Sequence, residues 1–344
     1  MICRRDLLLN ALLMGMVATC AASFVGAHQE KRLWVAKSIA LFKGHTLNVQ
    51  TAHLSHDGKV VASAGNGNRG AEVNLWDAAT GKELVAPPSP KGYVNSLAFS
   101  GNNQRLLIGG DSGRTTLIWD LSKNELVGAH GDPRGSTNTV ALNHDGSRYA
   151  TAGYQSIGLW EAKTGNSAMI ARPMQSVGGG AFTPDLKRYA FPNSQDIDLW
   201  DVTAGKEIKI FGEHRGVVQR VAFSRDGKTL IAASVRSTGY FKWTGQVKFW
   251  DIATGKDRWT LAAPTHRITA LDLSPDESTL ALLDYPEIDG KTELMLVEVA
   301  SSKEMFRLKE PTIRFQSPVF LDNDRLRVIG IESEKVIHVW EISR

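Results

Sequence analysis

Cysteine is nearly missing from this chain of 344 residues: there are two, Cys3 and Cys20, both within the first 27 positions. If that segment is removed, no thiol is left. Disulfides, thiolate metal sites and cysteine-linked haem are then excluded, and a cysteine-free chain is compatible with an oxidising compartment. Runs of like charge are missing too. The 40 Lys and Arg are interspersed with 36 Asp and Glu, for a net charge of +4. The chain therefore lacks the clustered basic footprint of a nucleic-acid binder, and nucleic acid is not an expected partner. Its mildly basic balance favours acidic partners. Long apolar runs stop after residue 27, leaving no candidate membrane span beyond it.

What is present first is a leader. Residues 1–5 are short and basic, residues 7–27 are mostly apolar, and Val25-Gly26-Ala27 offers small residues for cleavage. This pattern predicts an export signal over 1–27 and a periplasmic or extracellular product. The order Arg4-Arg5-Asp6-Leu7-Leu8 resembles a twin-arginine signal, with the general secretory route as the alternative. A lipoprotein box at Val17-Ala18-Thr19-Cys20 is a poorer reading because Thr precedes the Cys. An uncleaved anchor is opposed by Asn10, Gly15 and the cleavage site. Cleavage removes two arginines and one aspartate, so the net charge goes from +4 to +3.

The rest of the chain repeats one phrase. QVKFWDIATGK at 246–256 is a β-prone run ending in Trp-Asp, followed by a Thr-Gly-Lys turn. Matching pieces are NLWD at 74–77, LIWD at 117–120, GLWE at 158–161, DLWD at 198–201, MLVE at 295–298 and HVWE at 338–341. Successive Trp positions, with Val297 standing in for one, are 43, 41, 40, 50, 47 and 43 residues apart. A period in the forties with several short strands per unit marks propeller blades, each of which needs neighbours to cover its faces.

On these residues the chain resembles the WD-repeat (WD40-type) propellers. The resemblance implies an all-β, seven-bladed β-propeller over 28–344 as a single domain and a monomeric ring. The last copy stops after a third strand, and KSIALF at 37–42 is free to supply the fourth. Closure of the ring by an N-terminal strand that completes the last blade is the expected arrangement.

Short polar pieces recur between the first and second strands of each unit: Ser55-His56-Asp57-Gly58, Ser100-Gly101-Asn102-Asn103, Asn143-His144-Asp145-Gly146, Thr183-Pro184-Asp185, Ser224-Arg225-Asp226-Gly227, Ser274-Pro275-Asp276 and Asp322-Asn323-Asp324. Repetition in every unit predicts hairpin turns rather than catalytic acids. The Thr-Gly pieces at 80–81, 164–165 and 254–255 and Ala204-Gly205 are turns as well, because a phosphate cradle needs successive glycine amides opening a helix. Gly178-Gly179-Gly180 is expected to be a close approach of a first strand to the channel.

Family blades often carry an Asp six residues before the Trp, tied to a blade His and a strand hydroxyl. Here those positions are Gly70, Gly113, Tyr154, Ser194, Thr244, Lys291 and Glu334, and the blade His is clear only as His45, His214 and His266. The expectation is that the polar network is nowhere complete and that packing of Trp between blades holds the ring. The three His are then structural, not catalytic or metal-binding.

Three loops depart from the repeat, and the resemblance places them around one mouth of the channel. VRSTGYFKWTGQ at 235–246 sets Tyr240, Phe241 and Trp243 beside Arg236 and Lys242. Aromatic and Arg anchors dominate interface energies, which makes this a candidate partner-binding patch, though its alternation equally suits an extended hairpin folded over its own blade. DYPEIDGK at 284–291 adds Tyr285 and lacks the spaced oxygen ligands of a calcium loop. Arg267 follows His266 toward the same face, and GNGNRG at 65–70 contributes Arg69. No nucleophile elbow or nucleophile–base–acid set emerges. The expected function is therefore a non-catalytic scaffold presenting a loop face to a protein or peptide, with no cofactor and no metal. The alternative is a propeller enzyme, a lactone-type hydrolase or cofactor binder, with a site assembled across blades at the channel mouth.

Overall fold

The computed structural model describes residues 33–344 except 69, 91, 111–114, 132–136, 172, 174–178, 240–241, 264–266, 286–291 and 333. The expected export signal lies outside the described residues, which form strands and turns and contain no α-helix. β1 (Val35–Lys43) stands first. Blade 1 follows with β2 (Asn48–Leu54), β3 (Val60–Gly67) and β4 (Gly70–Asp77), then blade 2 with β5 (Val94–Phe99), β6 (Arg105–Gly110), β7 (Thr115–Asp120) and β8 (Glu125–Gly131). Blade 3 has β9 (Thr137–Leu142), β10 (Arg148–Gly153), β11 (Ser156–Glu161) and β12 (Ser167–Ala171), and blade 4 has β13 (Ala181–Phe182), β14 (Arg188–Asn193), β15 (Asp196–Asp201) and β16 (Lys206–Phe211). Blade 5 is built from β17 (Val217–Phe223), β18 (Thr229–Gly239), β19 (Lys242–Asp251) and β20 (Asp257–Ala263). Blade 6 has β21 (Ile268–Leu273), β22 (Thr279–Asp284), β23 (Glu293–Glu298) and β24 (Lys303–Lys309), and blade 7 has β25 (Ile313–Phe320), β26 (Arg325–Glu332) and β27 (Val336–Ser343).

Each blade is an antiparallel meander. The first strands adjoin around a central channel, β2 beside β5, β5 beside β9, β17 beside β21, β21 beside β25 and β25 beside β2. This is the expected seven-bladed ring. Its closure is also as expected: the last sheet runs β1-β27-β26-β25, with β1 paired to β27 from Val35↔Ser343 to Lys43↔Val336. Blade 1 is the slighter one, since only an isolated bridge, Trp76↔Glu83, stands where its fourth strand belongs.

The core is divided among the seven junctions, because alternate residues of a strand face opposite neighbours. Trp76 packs with Ile329, Ile337 and Val339 of blade 7, Trp119 with Val73 and Leu75 of blade 1, and Trp160 with Leu107 and Ile118 of blade 2. Trp200 lies against Leu159 of blade 3, and Trp250 against Ile197 and Leu199 of blade 4. Val297 lies against Val247 and Phe249 of blade 5, and Trp340 against Leu294 and Leu296 of blade 6. Each copy of the repeated Trp thus seals its blade to the one before. Burial of one such side chain contributes roughly 2–3 kcal/mol.

The polar network departs from expectation in blade 1, where it is complete. Trp76 Nε1 donates to Ser63 Oγ at 2.8 Å, His45 Nε2 meets the same oxygen at 2.6 Å, and His45 Nδ1 meets Glu72 Oε1 at 2.6 Å. Glu72 also accepts from Thr46 Oγ1 at 2.6 Å and from the Leu47 N–H at 2.9 Å. Glu72 takes the part of the absent Asp: it lies two residues beyond Gly70 on the same strand, hence on the same face. Blade 5 has only half a network. His214 Nδ1 meets Ser234 Oγ at 3.0 Å, but its Nε2 is buried without a partner. The residue opposite Lys248, two before Trp250, is Ala232, whereas in blade 1 the matching position is Ser63 opposite Asn74. His266 lies outside the described residues.

The turn readings hold. Ser55, Thr183, Ser224 and Ser274 each donate their hydroxyl to the Asp two residues on, at 2.6–2.7 Å. Gly81, Gly165, Gly205 and Gly255 have φ of 75°, 70°, 65° and 68°, left-handed values that suit glycine after the third strands of blades 1, 3, 4 and 5. Gly180 differs from expectation, since a Cβ there would lie 2.2 Å from the Ala190 carbonyl oxygen. Its close neighbour is the second strand of its own blade rather than the channel.

Candidate partner-binding face

Strand direction decides which loops share a face. First strands run away from the entering loop and second strands run back, so the second-to-third-strand loops emerge beside the entering loops. The longest departure of the sequence is here a paired hairpin rather than an open loop. β18 and β19 stay paired past the blade through Arg236↔Thr244, Ser237↔Trp243 and Gly239↔Lys242. The inner neighbour stops at Val217↔Val235 and the outer at Gly245↔Ala263. Beyond those pairs the hairpin is two-stranded.

Arg236, Ser237, Thr238 and Gly239 are exposed. Trp243 is half-buried, with its Nε1 shut off from solvent and unpartnered. By strand alternation it shares a face with Val247 and Phe249, the face that packs on blade 6. At the hairpin's root the Arg215 N–H donates to Gln246 Oε1 at 3.3 Å. Gly216 is needed there, because a Cβ would lie 2.3 Å from the Val235 carbonyl oxygen. The next residue, Val217, is 53% exposed.

Arg267 enters the same face on blade 6 and is exposed. Its N–H donates to Asp284 Oδ1 at 3.2 Å, and its carbonyl accepts the Tyr285 N–H at 2.8 Å. These bonds tie two of the predicted site residues to each other. Between the blades Arg220 donates from Nε to the Thr269 carbonyl at 2.7 Å and from Nη1 to the Gln219 carbonyl at 2.9 Å. Burial, and then the cation of Arg267, lower its pKa.

The structure thus places Arg236, Trp243, Arg267 and Tyr285 on one face of adjoining blades. Arg69, Tyr240, Phe241 and the Lys242 side chain lie outside the described residues, as does the 286–291 part of the faint calcium-loop segment. Arg215, Arg220 and Val217 were not legible as site residues: Arg215 follows a blade His and the other two sit in a first strand, and only the fold brings them to the hairpin.

The opposite mouth of the channel gathers turn residues. His56, His144 and Arg225 occupy one equivalent turn position and are exposed, and Arg225 Nη2 donates across to the Phe320 carbonyl of blade 7. Asp272 Oδ2 accepts the Phe320 N–H at 2.8 Å, and burial raises its pKa to about 6. Clefts on this side, such as one of about 380 Å³ between blades 4 and 5, are lined by the turns themselves, among them Asp185, Lys187, Asp201 and Lys228. No group of three or more His, Cys, Asp or Glu placed to hold a metal ion occurs among the described residues.

Ring, closure and extended hairpin define the class, a seven-bladed propeller with two unlike faces. The family model described as WD domain, G-beta repeat matches residues 36–77, 82–120 and 205–251. WD repeats thus stand at three places in a seven-bladed β-propeller, and propellers of that family are typically used for protein–protein interaction. No curated protein matches it. No helix among the described residues is long and apolar enough to cross a membrane.

Proposed function

We propose that this protein is an exported, non-catalytic interaction module that captures a protein or peptide on the lip formed by blades 5 and 6. The observation that carries the reading is the two-stranded stretch of the β18–β19 hairpin. A blade needs no such extension to close its core, and among the described residues no hydrogen bond or ion pair ties exposed Arg236, Ser237, Thr238 or Gly239 to another blade. Arg and aromatic side chains together are what interfaces use as anchors. Export rests on the leader at 1–27, with a periplasmic or extracellular destination.

The test is affinity capture from an exported-protein extract with the parent chain and with a variant carrying Arg236→Ala and Trp243→Ala. The expected result is a defined partner retained by the parent and lost by the variant, with both proteins melting cooperatively above the temperature of the assay. A partner held equally by both would move the site off this lip.

A further inference from the structure

The entering loop of blade 5 is fastened to the root of the hairpin through a histidine bonded on one side only. His214 Nδ1 meets Ser234 Oγ at 3.0 Å, and the Ser234 hydroxyl donates to the Gln246 carbonyl at 3.4 Å. That hydroxyl has one proton to give, so the ring proton sits on Nδ1 and Nε2 is a bare lone pair. Nε2 is shut off from solvent and has no partner. The Arg215 N–H completes the fastening at Gln246 Oε1, 3.3 Å away. Ser234 and Gln246 are cross-strand partners, one step from the Val235↔Gly245 pair beyond which the hairpin is two-stranded.

Blade 1 has the same parts with one difference. Glu72, four residues before Trp76, holds His45 Nδ1 at 2.6 Å, whereas the residue four before Trp250 is the neutral Gln246. A proton arriving on His45 meets a carboxylate. One arriving on His214 Nε2 makes a buried cation whose new donor has no acceptor. The charged groups around it do not reverse this. Lys248, buried on β19, repels it, and the Lys248 Nζ lies 3.4 Å from Asp257 Oδ2, so that carboxylate is already engaged. Arg236 lies two residues beyond Ser234, hence on the same face of β18, and Glu213 and Arg215 flank His214 exposed on its own loop. From blade 4 come Asp196 and Lys209: a Cβ on Gly212 would lie 3.0 Å from Asp196 Oδ1, and Lys209 Nζ reaches the Thr254 carbonyl at 3.5 Å. Among the described residues none of these acids bonds His214.

We propose that His214 is an acid-released latch: taking up a proton expels the imidazole to water and frees the entering loop and hairpin root of blade 5, while blade 1 stays closed. Burial and the Lys248 cation hold the closed imidazole's pKa down to about 4, against 6.5 in water, so the opened form gains the proton as pH falls. Burial acts downward on His45 too, but its bond to Glu72 opposes that shift. Release of a partner in acid is a consequence that rests on the reading of the lip as the binding site; the latch itself does not.

Amide hydrogen exchange followed by NMR on the full chain tests the latch without a partner. Protection of the Arg215, Ser234 and Gln246 amides is expected to fall about twentyfold between pH 7 and pH 5, the factor by which titration of an opened and a closed imidazole shifts a local opening. Protection of the Ser63 and Asn74 amides of blade 1 is expected to fall by less than about threefold, because Glu72 receives the proton's charge. Gln246→Glu gives blade 5 the missing carboxylate and is expected to bring its fall into that smaller range. His214→Gln is expected to abolish it.

Unchanged protection in blade 5, an equal fall in blades 1 and 5, or a full fall that persists in Gln246→Glu would overturn the proposal; the equal fall would mean that acid loosens the ring as a whole. A partner found to sit elsewhere on the ring would leave all of these exchange results as they are.

Discussion

At the scale of single residues, the chain shows why a missing motif residue is not a missing network. Glu72 replaces an Asp that the repeat lacks, using one more methylene and a position two residues along the same strand face. The sequence contained that signal, since Glu72 sits four before Trp76, but a search at fixed spacing passes over it. Blade 5 shows the converse. His214 is 4% exposed and bonded on one side only, and its pKa is pushed down to about 4, first by burial and then by the Lys248 cation.

The sign of its pH effect follows. An unfolded chain protonates His214 near 6.5 and the folded chain only near 4, so between those values the unfolded state binds more protons. Stability therefore falls as pH drops from about 6.5 to about 4, by up to about 3 kcal/mol from this group. Burial pushes His53 down to about 4 and acts in the same direction. Asp272 opposes them: with its folded pKa raised from 3.8 to about 6, its contribution is present at low pH and is lost as pH rises through 6. Melting of a His214→Gln variant across this range is expected to show a shallower acid loss than the parent. Parallel curves would mean that the His214 proton is not linked to folding.

At the scale of elements, the strands and turns were legible because each repeat states them again, and repetition separates a turn acid from a catalytic one. The hairpin was legible only in part. The stretch 235–246 announces itself by length and by its aromatics, but whether it is an open loop or a two-stranded ladder depends on where β17 and β20 stop, and no local pattern encodes that. β1 is the opposite case, a strand whose partner is about 300 residues away and whose role follows from the last blade lacking an edge. Its Phe42, 1% exposed, packs with Trp76, Ile337 and Val339. Deleting residues 33–43 removes this ladder together with the junction between blades 7 and 1, so the deletion is expected to lower the melting temperature of the whole ring by about 5 °C or more. A deletion protein that melts with the parent would show that closure does not depend on β1.

At the scale of the whole molecule, the two ends of the channel differ in a way that composition conceals. One end is made of repeated turns whose hydroxyls and carboxylates satisfy one another. The other carries the extended hairpin and several arginines, among them Arg215, Arg236 and Arg267. A net charge of +4 says nothing of how the two ends differ. Order around the ring, which places Arg215, Arg236 and Arg267 on one lip, could not be read from the chain, since 52 residues separate the first from the last.

The central claim, that this lip is where a partner sits, is tested most directly by site-specific photo-cross-linking in an exported-protein extract. One probe replaces Thr238 on the hairpin, and a control replaces Lys123 on a turn of the opposite face. The account predicts a discrete adduct at position 238 that competes away with unlabelled protein, and none at 123. An adduct at 123 with nothing at 238 would contradict it and place the partner on the turn face.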